Sequence, residues 1–167
     1  KTVASTTANE SQAVELADGA LILNWREQNY NGPSAGCRGI ALSRDGGETW
    51  SAPALARALN ETPCQASILR YGPASGTGEN SMILFSNIDA ALNAEVHSQR
   101  KNMTVRLSCD DGKTWPVKRL INPGPSAYSC LAVLQDKTIA LLYECGDKHP
   151  YERLRLAKFS LGWLTAI

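Results

Sequence analysis

The chain has 167 residues, 43% hydrophobic and 20% charged, with 17 basic against 16 acidic side chains and a formal net charge of +1. That balance is ordinary for a globular domain, without the basic excess or basic stripe of a nucleic-acid surface. No apolar run approaches the ~20 residues of a membrane span, and the first seven residues lack the apolar segment of a signal peptide, so the chain reads as soluble.

Helical periodicity is hard to find. Short β-type runs bounded by Gly, Pro, Asn or Asp recur instead, which predicts an all-β fold. In chain order the predicted strands are residues 12–16, 20–25, 38–43, 65–71, 81–86, 103–108, 129–134, 138–144 and 153–159. Ala17-Asp18-Gly19 and Gln135-Asp136-Lys137 lie between apolar runs, and each is read as a hairpin with a two-residue polar turn. Sequential strands are therefore expected to pair antiparallel. Residues 72–80 read as a connecting loop; no Lys-Ser/Thr follows, so they are not a phosphate cradle.

A repeat organises these strands. Ser43 to Trp50 and Ser108 to Trp115 share the pattern S-x-D-x-G-x-T-W, 65 residues apart. Residues 12–16 resemble residues 65–69 and, more loosely, 130–134. About four strands per repeat of roughly 40 to 65 residues is the signature of a β-propeller blade. Two blades and most of a third are expected, an incomplete part of a propeller, because closure takes ~4 to 8 blades. Within each box the Asp can accept from N–H groups of its own turn, the Gly can take a positive φ, and the Trp can pack on the blade. Asp45, Asp110 and Asp111 are accordingly read as folding elements, not catalytic carboxylates.

Cys37, Cys64, Cys109, Cys130 and Cys145 are odd in number, with no C-x-x-C pair and no histidine at zinc spacing. They read as buried, reduced thiols. Asn9, Asn60 and Asn102 begin glycosylation-type triplets too short to fix a compartment. His97 and His149 fall in polar stretches and read as solvated. Arg26 ends the run 20–25 and Arg106 interrupts 103–108, and two strand-borne arginines in successive repeats could grip a carboxylate or phosphate in bidentate fashion. Glu10 and Tyr128 each stand just ahead of an innermost-strand candidate, in what read as successive units.

The ordered set of Glu10, Arg26, the first box, Arg106, the second box and Tyr128, continuing to Leu141-Leu142-Tyr143-Glu144, closely resembles exo-α-sialidases of the bacterial and animal type along nearly the whole chain. The resemblance implies a six-bladed propeller, with residues 1–167 as its C-terminal half, incomplete alone, and the N-terminal half as partner. It implies a retaining hydrolase of sialylated glycans in which Tyr128 is the nucleophile, Glu10 its activating partner, and Arg26 and Arg106 the second and third arginines that hold the sugar carboxylate. The first arginine and the acid/base aspartate have no counterpart in this chain. No metal or cofactor is implied, and the substrate class favours a secreted, periplasmic or lysosomal setting. Arg100, Asn87 and Asn24 could line the pocket, and Trp25, Tyr30 and residues 29–36 could meet the glycerol or N-acetyl groups.

The chemistry suits these roles. The anomeric carbon of sialic acid already bears a carboxylate, so a neutral phenol can approach where an anion would be repelled. With an ordinary pKa of ~10, that phenol needs a neighbouring base to become a nucleophile. A non-catalytic propeller binding glycan or protein, and a trans-sialidase on the same fold, are the alternative readings.

Overall fold

Residues 7–28, 36–60, 62–72, 81–89 and 100–166 are described in a computed structural model. Alternation of apolar and polar side chains makes β1 (Ala8–Glu15) and β2 (Leu21–Glu27) a hairpin, and β3 (Cys37–Ser43) and β4 (Ala54–Asn60) extend it to an antiparallel sheet ordered β1-β2-β3-β4. The same plan recurs in β5 (Ser67–Arg70), β6 (Ile83–Ile88), β7 (Lys101–Ser108) and the first part of β8 (Val117–Val133). β8 then continues as the innermost strand of a third unit, pairing with β9 (Ile139–Cys145), which pairs with β10 (Arg153–Phe159). Pro123 and Pro125, which have no N–H to donate, mark the point where β8 leaves one blade for the next. The chain is thus two four-stranded blades and three strands of a third.

Two strands escaped the sequence pattern, β4 and the first part of β8. Both are the outermost strands of their blades, and in neither does the sequence alternate cleanly between apolar and polar side chains; Leu120, for one, is 50% exposed. The hairpin turns also differ from expectation. Leu16 N–H donates to Ala20 O at 2.7 Å and Leu134 N–H to Thr138 O at 2.9 Å, so each loop has three residues and ends on a positive φ, +83° at Gly19 and +65° at Lys137. After β10 the chain makes a one-turn helix, α1 (Leu161–Thr165), capped by the Ser160 hydroxyl accepting from Trp163 N–H at 3.1 Å. No described helix is long and apolar enough to cross a membrane.

The blades pack face to face. Val14, Ile22, Leu59, Ile68 and Phe85 fill the space between the first and second, and Leu84, Val105, Leu131 and Leu141 lie in the cluster between the second and third. A repeated glutamine joins the inner strands, which makes physical sense of the resemblance between residues 12–16 and 65–69. Gln12 Oε1 accepts from Ile68 N–H at 3.0 Å, and Gln65 Oε1 accepts from Ser129 N–H at 2.9 Å.

The two boxes fold alike. Asp45 Oδ1 accepts from Thr49 N–H at 2.9 Å and from the Ser43 hydroxyl at 2.8 Å; Asp110 Oδ1 does the same with Thr114 N–H at 2.8 Å and Ser108 at 2.7 Å. These bonds hold the Asp45 carboxyl down at about 2, with the Thr49 hydroxyl the leading cause. Asp111, at φ +59°, reaches across the blades to accept from Ala17 N–H at 3.2 Å and to face Arg70 at 3.8 Å. The box carboxylates are engaged in folding. All five cysteines are free thiols, but only Cys37, Cys64 and Cys145 are buried; Cys109 and Cys130 are exposed, contrary to expectation.

Candidate active site

The boxes follow the C-terminal ends of β3 and β7. Because neighbouring strands are antiparallel, the start of β1, the end of β2, the start of β7 and the inner start of the third unit all lie at the opposite end of the blades. Glu10, Arg26, Arg100 and Tyr128 occupy those four places.

β1 begins at Ala8, ahead of the expected run, so Glu10 lies within the strand, and Tyr128 lies within β8. They belong to the first and third units, with β5 between them, and not to successive ones. A register irregularity falls around each, between Ala8 and Ser11 and between Ser126 and Ser129. Such bulges re-aim a side chain out of the ladder. Tyr128 N–H accordingly donates to Glu144 Oε2 at 3.0 Å.

The two side chains meet. The Tyr128 hydroxyl donates to Glu10 Oε1, and Arg26 Nη1 donates to Glu10 Oε2 at 3.0 Å. Burial acts to raise the Glu10 pKa, but the hydrogen bonds from Tyr128 and Arg26 and the charges of Arg26 and Arg100 outweigh it and hold Glu10 below the usual glutamate value. Tyr128 is pushed up to about 12, first by the bond it donates to Glu10 and then by burial. At neutral pH the pair is a neutral phenol hydrogen-bonded to an ionised carboxylate. The phenol thus has a proton acceptor in direct contact with its oxygen.

Arg106 is not brought to this group. It is 3% exposed, and its guanidinium donates to Asn87 Oδ1 at 2.5 Å and to Asp89 Oδ1 at 2.8 Å, while Lys118 pairs with the other oxygen of Asp89. Burial holds the Arg106 pKa down, against the pull of Asp89. The guanidinium beside Tyr128 belongs to Arg100, just ahead of β7, at 5.6 Å from the Tyr128 ring centroid. Arg100 Nη2 donates to Pro63 O at 2.8 Å and Nη1 to the Tyr151 hydroxyl. The arginine pair that the structure assembles is therefore Arg26 and Arg100. Position along β7 separates the two readings: Arg106 is six residues further on, up to roughly 20 Å along an extended strand.

Asn24 and Asn87 are 2% and 3% exposed and accept from buried arginines, Arg38 at 2.8 Å and Arg106, so they support the site and do not line it. Trp25, 1% exposed, covers Gly39, with its indole N–H donating to Glu27 at 3.4 Å, and is unavailable to a sugar. His149 is exposed, edge-on to Tyr151. Tyr30, residues 29–35, His97 and residues 73–80 lie outside the described residues. Asp89, Glu144, Gln65 and Tyr151 carry contacts that sequence reasoning missed, since each acts through tertiary neighbours and sits in no local motif.

Residues 1–142 match the family model of the BNR repeat-like domain, and the chain belongs to that family. It is 38% identical over 161 residues to a sialidase of Micromonospora viridifaciens, covering 95% of this chain and 23% of that protein. Among solved structures, the Hadza microbial sialidase Hz136 superposes with a TM-score of 0.75 at 28% identity, over 97% of this chain and 29% of the other. A leech intramolecular trans-sialidase, solved with 2,7-anhydro-Neu5Ac, gives a TM-score of 0.72 at 27% identity, over 93% of this chain and 24% of the other. The chain thus spans about a quarter of the length of these sialidases and has the fold of the corresponding part of a sialidase β-propeller.

Proposed function

We propose that this chain supplies the nucleophilic half of the active site of a retaining exo-α-sialidase acting on sialylated glycans, within a propeller completed by an N-terminal half. The observation that carries this reading is the Tyr128 hydroxyl donating to a Glu10 carboxylate whose other oxygen is held by Arg26. As Tyr128 Oη bonds to the anomeric carbon, its proton passes to Glu10 and the glycosidic bond breaks, the leaving oxygen taking a proton from an acid outside this chain. Glu10 needs no rearrangement for this step, because it already accepts that proton's hydrogen bond. Water then releases the sugar from Tyr128, giving net retention. Arg26 and Arg100 are assigned here to the substrate carboxylate. Arg106, the position matched by resemblance, is assigned to holding β6 against β7.

The likeness to the leech enzyme supports a second reading on the same residues, in which the substrate's own hydroxyl replaces water. Turnover of a fluorogenic sialoside by the full-length protein, with product analysis, tests both. Release of free sialic acid that Tyr128→Phe reduces at least 100-fold is expected. Undiminished turnover in that variant refutes the nucleophile, and an anhydro sugar as sole product selects the second reading.

A further inference from the structure

Beside Arg100, at the same end of the blades as Tyr128, lies a cleft of about 310 Å³ between the Pro123-Gly124-Pro125 crossing of β8 and the β9–β10 connection. Its lining includes Arg100, Lys101, Lys148 and Tyr151. One wall is a tightly built turn. The Glu152 carboxylate accepts from the N–H groups of Asp147, Lys148 and His149 at 3.0, 3.0 and 2.7 Å, and a Cβ at Gly146 would stand 1.8 Å from His149 O. This turn is preformed, so Lys148 is presented by a fixed backbone.

The charges of the cleft do not cancel locally. Its nearby carboxylates are engaged, Glu152 by those three N–H groups, Asp147 by Arg153, and Glu10, whose charge Arg100 feels, by Tyr128 and Arg26. Among the described residues Lys101 and Lys148 have no ion-pair partner, and both are exposed. Arg100 is held by two neutral acceptors, Pro63 O and the Tyr151 hydroxyl. Lys101 and Lys148 thus face a space whose other lining, beside Arg100, is the half-exposed Tyr151 ring, His149, Gly124 and three prolines, and the Tyr151 ring is a face of the kind on which a sugar ring lies. The volume is at the low end of the ~300 to 1,000 Å³ of ligand pockets, enough for one sugar-sized unit. A single guanidinium separates this space from the nucleophile, since Arg100 lies 5.6 Å from the Tyr128 ring centroid and 5.9 Å from that of Tyr151.

We propose that this cleft is a subsite for a negatively charged sugar unit in the part of the glycan beyond the cleaved bond, its carboxylate or sulfate facing Lys101 and Lys148. The inference rests on the sialidase reading and adds a preference for acidic leaving groups. The test uses the full-length protein and three substrates: sialyllactose, whose leaving group is neutral; an α2,8-linked disialyl lactose, whose leaving group carries a carboxylate; and a sialyl-lactosamine sulfated on its N-acetylglucosamine. Exposed ion pairs differ modestly in energy, so a 3- to 10-fold higher kcat/KM is expected for at least one acidic substrate at low salt. That preference should fall toward unity in the Lys101→Ala/Lys148→Ala variant, whose kcat/KM on sialyllactose stays at the wild-type value. Whichever acidic substrate gains identifies the carboxylate or the sulfate as the anion. Equal wild-type rates on all three, or a preference that survives in the variant, overturn the subsite. Failure to hydrolyse any of the three overturns the sialidase reading, and the subsite with it.

Discussion

Arg100 and Arg106 make opposite predictions when each is replaced by alanine. Arg106 is 3% exposed and bonded to Asn87 and Asp89, so its removal leaves a carboxylate that is itself mostly buried with Lys118 as its remaining cation. Breaking a buried pair by deleting one partner costs about 3 to 5 kcal/mol. Lys118, half exposed, recovers part of this, which places the expected loss near 3 kcal/mol. Arg100 sits on the rim with neutral partners, so Arg100→Ala should cost about 1 kcal/mol or less in stability. If it grips the substrate carboxylate, it should cost about 2 to 5 kcal/mol in transition-state binding, roughly 30- to 5,000-fold in kcat/KM. Denaturant unfolding of the full-length protein and sialoside kinetics on the folded fraction separate the two. An Arg106→Ala variant of wild-type stability that has lost activity, beside an Arg100→Ala variant of wild-type activity, would refute the assignment.

Other perturbations follow from the same contacts. Tyr128→Phe removes a hydrogen bond that favours ionised Glu10, so the Glu10 pKa should rise toward its ordinary value, measurable by carboxyl NMR titration; a fall contradicts the arrangement. Because the folded value is the lower one, Glu10 contributes stability that is present above its unfolded value and lost as pH falls through the folded value, and the variant should lose less stability on acidification. Gly39→Ala would place a Cβ 2.1 Å from Trp25, and overpacking against a residue 1% exposed should cost about 3 kcal/mol in denaturant unfolding. Gln65→Ala leaves Ser129 N–H without its acceptor, one residue from the nucleophile, and should lower kcat several-fold with a stability loss of about 1 to 2 kcal/mol.

Most of the fold was legible because it repeats. The boxes combine a local hydrogen-bond network with positive-φ positions at Gly46, Gly47 and Gly112, all of which the local sequence announces. The outermost strands were not legible, since an exposed strand such as Ala54–Asn60 needs no buried face and carries no period. The order of Glu10, Arg26 and Tyr128 along the chain singles them out, and the structure brings them into contact. Arg106, matched by resemblance, is instead bonded to Asn87 and Asp89 away from that group. In β7 the last six residues are all buried, so an arginine there needs fixed partners, whereas a residue at the strand's open end can keep its charge for a ligand.

The two ends of each blade divide stability from chemistry. At the box end Asp45 and Asp110 are satisfied within their own turns by Ser and Thr a few residues away. At the other end the contacts of the candidate site cross between units. Glu10 depends on Tyr128, 118 residues away, and Arg100 depends on Tyr151, 51 residues away. A site assembled from three units keeps its geometry only while the units keep their spacing, and Gln12 and Gln65 set that spacing at the inner strands. Loss of either glutamine is therefore expected to reach the chemistry before it reaches the fold. Since a ~1 Å displacement of a reacting group costs about 100-fold in rate, a fraction of that shift gives the several-fold fall in kcat, whereas a single lost hydrogen bond leaves a blade folded.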